Sequence, residues 1–158
     1  MRSAPAFQQA DLLQEFDLEL RNSMSLLSNI DFSEESWTQA SLPARAGGLG
    51  IRKSLDIALP CYISSALSVR SMVEALISSV TDLAPAGFRQ RAWDSPRVDY
   101  LQKTLLENSD QYSRARLLAA AQPESGAWIS AIPVPSLGTH LNTDELRIAI
   151  ALRTGSKI

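Results

Sequence analysis

Between its proline and glycine breaks, this chain repeats apolar residues at three- and four-residue steps. That spacing confines it to helices. Leu13, Phe16, Leu20, Met24 and Leu27 form one such stripe over residues 8–28, with Asp11, Glu15 and Glu19 on another face. Residues so spaced fall on one side of a 3.6-residue helix. The alternation that marks strands is weak throughout. The expected fold class is all-α: a single-domain irregular bundle of about six to eight helices over residues 8–158, behind a flexible lead-in at 1–7.

The breaks set the expected element ends. Asp31-Phe32-Ser33-Glu34 reads as a capping box, opening a helix over 33–40 that buries Trp37. Ser54 reads as an N-cap. Pro60 fits poorly inside a helix, so a short helix over 54–59 is followed by a longer one from Pro60 to Val80. The inward stripe of the longer helix is Tyr62, Ala66, Val69, Val73, Leu76 and Val80. Residues 81–94, with Pro85 and Gly87, read as a loop. Ser95-Pro96 starts a helix whose apolar side is Val98, Leu101, Leu105 and Leu106. Ser109 caps another over 111–121, with Tyr112, Ala115, Leu118 and Ala119 inward. Residues 126–132 read as a short helical or extended element. Asn142-Thr143-Asp144-Glu145 caps a last helix carrying Leu146, Ile148, Ala149, Ile150 and Leu152, and Gly155 stops it. The isoleucines at 148 and 150 also admit a strand, but the cap and the glycine favour helix.

Composition narrows the functions. A net charge of −2 argues against a generic polyanion binder. The charge is uneven: residues 1–42 hold two cations against seven carboxylates, and the remainder thirteen cations against ten. Cys61 is the only cysteine and His140 the only histidine. One of each, some eighty residues apart, supplies neither a zinc site nor a disulfide, so no metal or cofactor is expected. The apolar run around Cys61 argues for an inert buried thiol and against a Cys–His catalytic pair. Glu34-Glu35 and Asp144-Glu145 sit at expected helix starts, where negative charge is favoured without any catalytic duty. No apolar stretch approaches the ~20 residues of a membrane span, and charges and glutamines interrupt the N-terminal residues too early for a signal-peptide hydrophobic region, so an intracellular, non-membrane chain is expected.

Two clusters remain as candidate sites. In Leu42-Pro43-Ala44-Arg45-Ala46-Gly47-Gly48-Leu49-Gly50-Ile51-Arg52-Lys53, three of the seven glycines fall within four positions, flanked by three cations. Glycines let a ligand approach the backbone, and amides at the next helix start, with Arg52 and Lys53, are able to hold a phosphate. The spacing is not that of a nucleotide-binding loop. A tight packing turn accounts for the same residues. The second cluster is Arg89, Arg91 and Arg97 around Trp93, a pattern of cations and an aromatic that grips single-stranded nucleic acid when it is dense enough.

Three motifs in order resemble one family. They are Trp37-x-x-Ala40-Ser41-Leu42-Pro43-x4-Gly48-Leu49-Gly50-Ile51-Arg52, then Ser125-Gly126-Ala127-Trp128-Ile129-x-Ala131-Ile132-Pro133, then Leu146-Arg147-Ile148-Ala149 before Leu152-Arg153-Thr154-Gly155. Together they resemble the region after the polymerase core in reverse-transcriptase-like proteins of non-LTR retrotransposons. The resemblance runs from Trp37 to the end of the chain. It implies a helical thumb or post-thumb region. The adjacent aspartates of the polymerase site and the zinc segment found in that family are absent, so it implies a non-catalytic domain. Contact with a template–primer backbone would fall to Arg45, Arg52 and Lys53, beside Gly47, Gly48 and Gly50. The alternative is a helical module for protein interaction or self-assembly.

Overall fold

The computed structural model describes residues 3–77 and 90–157. Among them are seven α-helices: α1 (Ala10–Ser28), α2 (Glu34–Ala40), α3 (Ser54–Ile77), α4 (Gln90–Asn108), α5 (Gln111–Ala120), α6 (Ala127–Ser130) and α7 (Thr143–Thr154). Short 3-10 turns lie at Ala6–Gln8, Ala44–Ala46 and Pro135–Leu137. The described residues hold no strand, only one antiparallel bridge between Asp31 and Lys157. The class is all-α, as the spacing predicts.

The chain forms two compact units. One comprises Met1–Asp17 with Lys53–Arg97, the other Leu18–Arg52 with Val98–Ile158. In the first, α3 packs on the Ala6–Gln8 turn, and Phe7 meets Tyr62 with ring centroids 5.4 Å apart. Leu13, Ala58 and Cys61 are buried there. Asp17 is also buried, because its carboxylate caps α3 from a distance in sequence: Oδ1 accepts from Ser54 N at 2.6 Å and Oδ2 from Leu55 N at 3.1 Å. Those amides have no partner within their own helix.

In the second unit α7 packs on α2 and α5. Its main core is Ile30, Phe32, Trp37, Ala40, Ile150 and Ala151, and the rings of Phe32 and Trp37 meet edge to face at 5.7 Å. Leu42, Ala46 and Val98 form a smaller cluster backed by Leu101 and Leu105. Trp37 is buried, as its place in the short helix predicts.

Several expectations are corrected. Pro60 lies inside α3, which runs unbroken from Ser54; the proline removes one intrahelical bond without ending the helix. Ser54 is not its own helix's cap, since Asp17 supplies that oxygen. Residues 90–94 are helical, and Pro96 lies within α4. The Ser95 hydroxyl bonds back to Arg91 O at 2.8 Å and caps nothing. The cap of α2 is Ser33, not Asp31, and that of α5 is Asp110, not Ser109; each side-chain oxygen accepts from the amide three residues on. Along α5 the inward face is Leu117 and Ala120, while Tyr112, Ala115, Leu118 and Ala119 are exposed. Ala66 and Val69 of α3 and Phe16 and Leu27 of α1 are exposed too. Val80 and the side chains of Val73 and Leu76 lie outside the described residues. At the last helix the expectation holds: Asn142 and Glu145 form a reciprocal capping box, and Gly155 closes α7 at φ +71°.

Candidate functional site

The glycine segment follows α2 in the second unit and is held by backbone bonds to what precedes it. Gly48 N donates to Pro43 O at 3.1 Å, Leu49 N to Ala40 O at 3.0 Å and Gly50 N to Leu42 O at 2.8 Å. Three amides of the segment are thus paired within the protein. At the next helix start, where the sequence places a phosphate, the Ser54 and Leu55 amides are taken by Asp17. Gly48 passes so close to the preceding turn that an added Cβ would stand 2.0 Å from Leu42 O and 2.5 Å from Gln39 O.

The carbonyls of the segment are paired as well, by side chains from far along the chain. Arg153, buried on the last turn of α7, donates from Nε to Gly48 O at 2.8 Å. From its other nitrogens it reaches Ser125 O at 3.0 Å and Ala44 O at 2.7 Å. Gln39, buried in α2, donates from Nε2 to Gly47 O at 3.1 Å and to Arg153 O at 2.6 Å. Arg116 of α5 completes the set, donating from Nη1 to Gln39 Oε1 at 2.6 Å and Arg153 O at 2.7 Å. Burial pushes both guanidinium groups down from their ordinary pKa, Arg116 being partly offset by Tyr112, Asp110 and Glu35. They stay charged at neutral pH. A buried cation is tolerated where its N–H groups are matched to acceptors, and three carbonyls meet Arg153 here.

This polar node joins the three motifs of the sequence. The Trp37–Arg52 motif supplies Gln39, Gly47 and Gly48, the second motif Ser125, and the third Arg153. Sequence reasoning missed Gln39, Arg116 and Arg153. The available signal was an arginine placed one turn after Ile150 on an apolar helix, between leucine and Thr154-Gly155.

The cations of the glycine segment divide. Arg45 is exposed on the Ala44–Ala46 turn. Arg52 and Lys53 are half-buried, and each is engaged in a polar or electrostatic interaction. The boundary between the two units falls between them. In the second cluster, Arg97 donates from Nε to Asp56 Oδ1 at 2.8 Å, so part of its charge is met within the protein. Arg91 and Trp93 are exposed on α4, two positions apart and so on different sides of the helix. Arg89 lies outside the described residues. Cys61 is buried and His140 exposed. The described residues hold no group of three or more metal-ligating side chains.

The second unit also opens an apolar groove of about 360 Å³. Met24 of α1, Leu49 and Ile51 of the glycine segment, Trp128 of α6, and Leu146 and Ile150 of α7 line it, with Leu141 and Pro133 beside them. The polar node fixes three of these walls, since it fastens the glycine segment, the turn before α6 and the end of α7 together. No helix among the described residues is long and apolar enough to cross a membrane. No family model, no curated protein and no solved structure matches this chain.

Proposed function

We propose that this chain is a non-catalytic helical domain that works by docking onto protein, of the kind that its resemblance sets beside a polymerase core. The apolar groove at Trp128 carries this reading. It is open and lined by large apolar side chains, and such a surface lowers its free energy when another apolar surface covers it. Self-association is the simplest form of that contact. Light scattering across a wide concentration range tests it. The expected result is a mass that rises with concentration, and a rise that Leu146→Glu suppresses. Leu146 is 38% exposed, so the charged side chain reaches water without opening the core. A strict monomer whose groove binds no apolar dye would overturn the reading.

A second reading, contact with a nucleic-acid backbone, is supported by the exposure of Arg45 beside the glycine segment. It predicts a mobility shift with RNA, DNA or hybrid duplexes that weakens steeply with salt, as released counterions require. Arg45→Glu should remove that shift. Absence of binding at low salt would leave protein docking alone.

A further inference from the structure

We propose that the small polar cleft beside Arg116 binds the zwitterion of a small α-amino acid, its carboxylate on the guanidinium and its ammonium on Glu35. The cleft lies wholly within the second unit, apart from the apolar groove, and measures about 50 Å³. Ser36, Gln39 and Thr154 line it and are buried, while Ser33 and Glu35 are exposed at its rim. Most of its polar groups already have partners. The Gln39 amide nitrogen and the Thr154 hydroxyl donate to carbonyls, Ser36 bonds with Ser33, and Ser109 donates to Leu105 O.

Two charged groups of the lining stay open. Arg116 donates to the protein from Nη1 alone, to Gln39 Oε1 and Arg153 O, which uses both hydrogens of that nitrogen. Its Nε and Nη2 have no hydrogen-bond partner among the described residues, and solvent reaches them, since neither is a buried unpartnered atom. The same edge lies against Gly155, another wall of the cleft: a Cβ there would stand 2.6 Å from Nη2 and 2.7 Å from Nε. The guanidinium is thus fixed through one nitrogen and offers the other two as a fork, which matches the two oxygens of a carboxylate. Glu35 supplies the opposite charge. It acts on Arg116 through its field, yet no hydrogen bond joins the two. A simple anion on the fork would meet Glu35 as a like charge, and a simple cation at Glu35 would meet Arg116. A zwitterion matches both. Roughly 10–15 Å³ holds one water, so the cleft has room for about four small groups, which suits glycine or alanine and excludes a branched side chain.

The test is NMR on the ¹⁵N-labelled full chain at neutral pH, following the Arg116 Nε–H resonance and the Ser36, Ser113 and Gly155 amides. The probes are glycine, acetate, glycinamide, leucine and inorganic phosphate. Glycine should shift these resonances saturably. Acetate lacks the ammonium, glycinamide lacks the carboxylate and leucine is too large, so each should bind about tenfold more weakly or worse. Glu35→Gln, on an exposed side chain, should weaken glycine several-fold and leave acetate no weaker. Arg116→Lys keeps the charge but loses the fork, and should weaken glycine about tenfold. Arg116 also holds Gln39 and Arg153 O, so the Glu35 variant decides the matter if the lysine variant fails to fold. No saturable shift with glycine, any other probe binding as tightly as glycine, or a Glu35→Gln protein that binds glycine like the wild type would overturn the proposal.

Discussion

At position 48 a methyl group has nowhere to go. The Leu42 and Gln39 carbonyl oxygens that crowd it belong to backbone, which does not move aside as a flexible side chain would. Gly50 is different: it has a φ of +80° and open space around it, so alanine there meets backbone strain but no clash. Gly48→Ala should therefore destabilise the protein by about 3–5 kcal/mol. Gly50→Ala should cost about 1 kcal/mol. Thermal or denaturant unfolding of the two variants checks the difference. Equal small losses would show that the segment has room that the geometry denies.

Among the elements, the helix starts depend on oxygens that do not always come from the adjoining sequence. The first turn of α3 rests on Asp17 of α1, which is why Ser54 alone misleads as a cap. Asp17→Ala should cost about 0.5–2 kcal/mol, the ordinary worth of an N-cap. The loss should be visible as faster hydrogen exchange at the Ser54 and Leu55 amides. Unchanged exchange there would contradict the cap.

The start of α5 gives a pH dependence. The Ser113 amide, then the Ser113 hydroxyl, then the Tyr112 amide and the Arg116 charge hold the Asp110 carboxyl below its ordinary value, against a smaller opposing effect of burial. A carboxylate lowered on folding stabilises the fold fully above its unfolded value, and that stability is lost as pH falls through the folded value. The α5 cap should thus weaken below about pH 4. Asp110→Asn, which caps without titrating, should remove this part of the acid loss in pH-dependent melts. An identical acid profile for both proteins would contradict it.

These elements show what was legible in the sequence. Apolar spacing revealed the helical class, and the reciprocal pair Asn142 and Glu145 revealed the α7 start, because both signals are local. The faces were harder. On α5 the apolar residues Tyr112 and Leu118 turn outward, while Arg116 turns toward the node, because Gln39 and the Arg153 carbonyl accept from it. Hydrophobicity alone cannot place a buried arginine. Its acceptors lie 77 and 37 residues away in sequence. Pro60 and Pro96 misled for a related reason: a helix held by packing survives the loss of one internal bond.

On the scale of the whole molecule, the glycine segment is the place where remote parts of the second unit are fastened. Its amides bond back to the end of α2, and its carbonyls take the N–H groups of Gln39 and Arg153. Through Arg153, the segment, the turn before α6 and the end of α7 share one guanidinium, and the groove proposed for docking has those same elements as walls. The segment that looks like a phosphate cradle in the sequence thus shapes a surface, and its Gly48, Leu49 and Gly50 amides and its Gly47 and Gly48 carbonyls already have partners in the protein.

Hydrogen exchange on Arg153→Lys tests this most directly. Lysine keeps the charge but cannot span three carbonyls with one planar fork. If the node fastens the unit, the Leu49 and Gly50 amides should lose protection together with Gly155 N, which closes α7 on Ala151 O. If only the last turn of α7 loosens while Leu49 and Gly50 exchange as in the wild type, the glycine segment stands without Arg153 and the account is wrong.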